Sequence, residues 1–121
     1  MTRPLYAASY LKSHRKRAGL SRRELAGILG LLSENQIGRH ERGAFLPTLV
    51  MAVGYEIVFQ VSIAELFPGV YDSVRQEIEG RLTDFENELQ ESSAKGRKAA
   101  RIARRLEWLW ERRHPDAVLL S

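Results

Sequence analysis

The 121-residue chain has no cysteine, so disulfides, thiolate zinc sites and a thiol nucleophile are excluded, and a small fold must be held by packing alone. Histidine is scarce: His14, His40 and His114 stand too far apart to argue a metal site. No GxSxG elbow or Ser–His–Asp order is present, so neither enzyme chemistry nor a cofactor is expected. Long apolar runs are also missing. The longest uncharged stretch, Gly43 to Tyr55, is well short of the roughly 20 apolar residues that span a bilayer. No apolar stretch of the kind found in signal peptides follows the first charge of MTRPLYAASYLKSHRKR. These absences predict a soluble cytoplasmic protein with no membrane partner.

What is present is charge, unevenly placed. The formal net charge is +4. Residues 1–45 hold nine Lys/Arg against three Glu, residues 72–92 two Arg against seven acids, and residues 93–121 eight Lys/Arg against three acids. Two basic blocks therefore flank an acidic one. The first suggests nucleic acid, and the other two are expected to answer each other.

Short helices with punctuation fill the text between Pro4 and Pro47. Leu5 to Arg17 stops at Gly19. Ser21 and Glu24 form a capping box for Arg22–Leu29, which Gly30 ends. Ser33 caps Glu34–Arg42, with Gly43 closing it and Glu34 as an acid in its first turn. Thr48–Phe59 reads as a largely buried helix, with a strand at 57–61 as the competing reading, and Ser62 caps a last short turn before Pro68-Gly69. The result is an all-α, five-helix domain over about 5–67.

Beyond it, Val70, Val74, Ile78, Leu82, Phe85 and Leu89 lay one apolar stripe along a helix of roughly 20 residues. SerSerAlaLysGly at 92–96 interrupts it, and Arg97–Arg112 repeats it with Ile102, Leu106 and Leu109. Residues 68–113 are thus expected to form a helical hairpin, with 114–121 a tail. Three readings stay open for the hairpin: it dimerises with its copy, its Arg-rich block binds DNA backbone, or it docks another protein. Trp108 and Trp110 lean to opposite faces, so at least one should be exposed.

Two capped helices joined by a brief turn, the second opening with Glu34, Asn35 and Gln36, suit a major groove, where amide and charged side chains reach base edges. Leu25, Ala26, Leu29 and Ile37 lie where those helices must touch. Over residues 11–67 the chain resembles the Cro/C1-type helix-turn-helix (XRE) family, whose fold is lambda-repressor-like. The resemblance is carried by Leu11, Arg15, Arg17-Ala18-Gly19-Leu20-Ser21, Glu24-Leu25-Ala26, Leu29-Gly30, Ser33, Ile37, Arg39, Glu41-Arg42-Gly43, Pro47, Val61-Ser62 and Glu65-Leu66-Phe67.

The resemblance makes Arg22–Leu29 the first helix of the motif and Glu34–Arg42 the recognition helix. It implies that Glu34, Asn35, Gln36 and Arg39 meet bases, and that Lys16, Arg17, Arg22, Arg23, Ser33, His40 and Arg42 meet phosphates. It also assigns Arg15 and Glu41 to a structural ion pair. Asn suits adenine N6/N7, Arg guanine O6/N7, and Glu can accept from cytosine N4.

Three features depart from the family pattern. Leu31-Leu32 lengthens the turn by one residue, Gly38 sits inside the recognition helix, and His40 replaces a usually apolar residue. Gly38 there implies a close approach by DNA or a neighbouring helix. The function implied is a nucleoid-associated, sequence-specific DNA-binding regulator, a repressor acting as a homodimer on a two-fold operator. The alternative is an antitoxin or interaction module that binds a protein partner through its C-terminal helices and DNA only to regulate itself.

Overall fold

The computed structural model describes residues 9–120, with side chains through Ala117. Every regular element among them is helical: α1 Leu11–Arg17, α2 Arg22–Ile28, α3 Asn35–Glu41, α4 Leu49–Phe59, α5 Ile63–Leu66, α6 Pro68–Glu91, α7 Arg97–Arg113 and α8 Pro115–Leu120. Of the first helix expected over Leu5–Arg17, positions 5–8 lie outside the described residues, and Ser9 and Tyr10 precede its start at Leu11, with Tyr10 as the N-cap residue. The chain divides into two compact units, the first ending at Gln76 and the second beginning at Glu77, so the division falls inside α6.

In the first unit the expected caps are in place. Ser21 Oγ accepts from the Glu24 N–H at 3.0 Å while the Glu24 carboxylate accepts from the Ser21 N–H at 2.9 Å, completing the capping box. Ser62 Oγ caps α5 as expected by accepting from the Glu65 N–H, and Thr48, expected inside the helix, caps α4 by accepting from the Met51 N–H. Ser33 Oγ accepts from the Asn35 N–H, but Glu34 is itself the N-cap residue, so α3 has no acid in its first turn. Leu11, Leu25, Ala26, Ile37, Tyr55, Leu66 and Phe67 form the core. Gly54 lets α4 lie close to α2, since a Cβ there would stand 2.7 Å from Leu29 Cδ2.

Three expectations need correction. First, α4 is not largely buried. Ala52 and Tyr55 are, but Leu49 and Val50 are 77% and 81% exposed, and Val53 and Ile57 are exposed as well. A segment apolar on every side cannot bury every side against so small a core. No strand forms at 57–61: α4 runs to Phe59 and Gln60 turns the chain with φ +57°. Second, Pro68-Gly69 does not precede the stripe helix but forms its first turn, directly after the end of α5 at Leu66. Proline has no N–H to lose at the first helical position, and it starts α6. Third, residues 115–120 are helical rather than a tail.

In the second unit α6 and α7 are joined by a turn with Gly96 at φ +68°. Arg112 Nη2 donates to Glu79 Oε1 at 2.8 Å, and Arg113 forks onto the Glu86 carboxylate. The apolar stripe of α6 is divided between the units. Val70 packs on the core of the first, Leu89 is buried in the second with Leu82 and Phe85 half-buried, and Val74 and Ile78 are exposed.

Candidate nucleic-acid interface

Helix α3 has two faces. Ile37, His40 and Glu41 point inward at positions i, i+3 and i+4, while Asn35, Arg39 and Arg42 stay exposed. Behind α3, Glu41 joins three elements. Its carboxylate accepts from Arg15 Nε at 2.5 Å, Arg15 Nη2 at 3.3 Å and Arg22 Nε at 3.0 Å. Arg15 also donates to the Leu20 carbonyl at 2.9 Å. Burial pushes the Glu41 carboxyl up, but the hydrogen bonds and charges of the two arginines outweigh it and hold the group ionised below the usual range. The Arg15–Glu41 pair is the one expected from sequence, whereas Arg22 as a second partner was not foreseen.

His40 does not reach the surface. It is 6% exposed, its Nδ1 lies 2.8 Å from the Tyr55 hydroxyl, and the two rings meet edge to face. Burial lowers the imidazole pKa, so the ring is neutral near pH 7, and it raises that of Tyr55. His40 therefore leaves the set of expected phosphate contacts. The helical period explains the error: the ring falls on the stripe that contains Ile37. Tyr55, its partner, carried no signal of its own in an uncharged run.

On the outer face, Arg22, Glu34, Asn35, Gly38, Arg39 and Arg42 line one polar concavity. Gly38 forms its floor. A Cβ there would stand 3.1 Å from Arg42 Nη1 and 3.6 Å from Arg22 Cζ, so the missing side chain is what lets two guanidinium groups approach the helix backbone. Glu34, Asn35 and Arg39, three of the expected base readers, are thus brought together. Gln36 is exposed beside Phe45 and Leu46 instead. Phe45, not foreseen, lies 5.2 Å below the Arg39 guanidinium and supports it by a cation–π contact.

Arg23 and Ser33 are exposed near this face in sequence, at the start of α2 and before α3. Lys16 and Arg17 are exposed in the last turn of α1, where Arg17 borders a different depression with Tyr10, His14 and Glu65. Leu32 is fully exposed in the turn between α2 and α3, while Leu31 packs on the core, so the extra residue is carried outward as a bulge in the loop. Among the described residues no cluster of His, Cys, Asp or Glu could hold a metal ion, and no helix is long and apolar enough to cross a membrane. No curated protein and no solved structure matches the chain. A family model described as helix-turn-helix matches residues 11–66.

Proposed function

Residues 11–66 belong to the Cro/C1-type helix-turn-helix family of DNA-binding transcription regulators, and on that footing we propose that the chain reads a specific double-stranded sequence with α3 in the major groove. The observation that carries this reading is the outer face of α3, where Asn35 and Arg39 stand over a glycine floor flanked by Arg22 and Arg42. Asn35, Arg39 and Glu34 are the base readers, with Gln36 at the groove wall. Arg22, Arg23, Ser33, Arg42, Lys16 and Arg17 meet phosphates. Each good base contact is worth about 1–3 kcal/mol of discrimination. Site selection from random duplexes tests the assignment: Arg39→Ala and Asn35→Ala relax base preference at separate positions. Unchanged preference and affinity in both variants would overturn it.

The homodimer forms through α4 rather than the tail. Phe45, Leu46, Leu49, Val50, Val53 and Ile57 are exposed, and no charged residue lies between Gly43 and Tyr55. Leu49, Val50, Val53 and Ile57 fall within about 100° of arc on one side of α4, so they expose a patch and not scattered single side chains. An apolar face is also where two copies of a basic unit meet with least repulsion. The dimer reads a two-fold operator with half-sites about 34 Å apart, and occupying a promoter there represses it.

A further inference from the structure

The acidic and basic blocks of the second unit answer each other only at one end. Of the cations between Lys95 and Arg113, only Arg112 and Arg113 pair with α6, and Arg104 is held by Glu107 and Glu111 of its own helix. Among the described residues, no carboxylate lies within ion-pair distance of Lys95, Arg97, Lys98, Arg101 or Arg105. Residues 92–106 contain no acid at all. Lys98, Arg101 and Arg105 converge on a shallow depression floored by Ala94 and Ile102 and edged by Ser92. Five exposed cations with no acid beside them, at the turn and along half of one helix, form the one-sided basic footprint that a polyanion fits.

We propose that this face of α7 is a second nucleic-acid contact, one that grips the phosphate backbone without reading sequence. Lys98, Arg101 and Arg105 span about 10 Å of helix axis, which matches about three nucleotide steps of one strand at ~3.4 Å each. Guanidinium forks suit phosphate oxygens bidentately, and the depression lacks the large apolar pocket that anchors a protein partner. The choice of DNA as the polyanion rests on the function proposed above, but the surface itself lies outside the helix-turn-helix segment.

The test uses the full-length chain and a labelled 30-base-pair duplex of unrelated sequence, titrated at several salt concentrations. The triple variant K98Q/R101Q/R105Q is expected to weaken binding at least tenfold at low salt and to reduce the slope of log K against log[salt] by two to three. The charge-preserving R101K/R105K variant retains the slope, and circular dichroism of both checks that α7 persists. An unchanged slope in a folded triple variant overturns the inference. So does a polyglutamate chain that displaces the duplex at matched charge, since the surface then fits an acidic polypeptide. Failure is distinguishable from failure of the α3 reading, because the two are read separately: site selection from random duplexes reports base preference, which Arg39→Ala changes and the triple variant keeps, whereas the salt slope on the unrelated duplex reports the α7 contact.

Discussion

Glu41 is the residue on which the proposed DNA-facing surface rests. Its carboxylate holds one buried and one half-exposed arginine from α1 and α2 against α3. Replacing it with alanine strands Arg15 in a site where it is 7% exposed. The Glu41→Ala variant should lose about 3–5 kcal/mol of stability, read from the urea midpoint. His40 sets a pH dependence of its own. Its folded pKa lies below the ordinary 6.5, so the unfolded chain takes up a proton more readily than the folded one. Stability is therefore complete above about 6.5 and declines as pH falls from there through the depressed folded value. Thermal melts between pH 8 and 5 should show this decline in the native chain and a flatter profile in His40→Gln, whose amide keeps a partner for the Tyr55 hydroxyl.

At the scale of elements, α3 separates stability from recognition at Gly38. A methyl there meets only the ends of the Arg42 and Arg22 side chains, which can move, while the helix gains about 1 kcal/mol over glycine. Gly38→Ala should thus fold at least as stably as the native chain but bind its operator more weakly, because the methyl fills the floor beneath both guanidinium groups. Denaturation and operator titration on the same sample separate the two effects. The helices and their caps were legible in the sequence because a serine hydroxyl three residues before a free amide is a local device, complete within one turn. What α4 buries was not legible. Its apolar residues lie all round the helix, and which of them the core covers depends on how α2 and α5 meet it. His40 was misread for a related reason: its polarity pointed outward while its position in the helical period pointed inward, and an unrecognised Tyr55 removed the cost of burying it.

For the whole molecule, charge and apolar surface divide the tasks. Val50→Glu together with Ile57→Glu places carboxylates on the exposed apolar face of α4, whose own Glu56 is half-buried with its carboxylate on the Ile63 N–H. In sedimentation equilibrium this variant should sediment as monomer where the proposed dimer is expected of the native chain, with operator affinity falling toward that of a single half-site. The paired charges of the hairpin were visible in the sequence as opposing blocks, but their incomplete pairing was not. Block totals cannot show that Glu79 and Glu86 face Arg112 and Arg113 rather than the turn. The passage of α6 from one unit into the next has a further consequence. Residues Val74–Arg81 are exposed throughout and include Gly80, so besides the Glu79–Arg112 pair and the surface contacts of Arg75 with Tyr71 and Asp72 it is the backbone ladder that holds them. Their amides should exchange with deuterium sooner than those near Val70 or Leu89, dividing one unbroken helix into two cooperative blocks that open independently. A protease or an evolutionary recombination event that separates the units with least damage would then cut within this stretch and not at Pro68, where a break would strip Val70 from the first core.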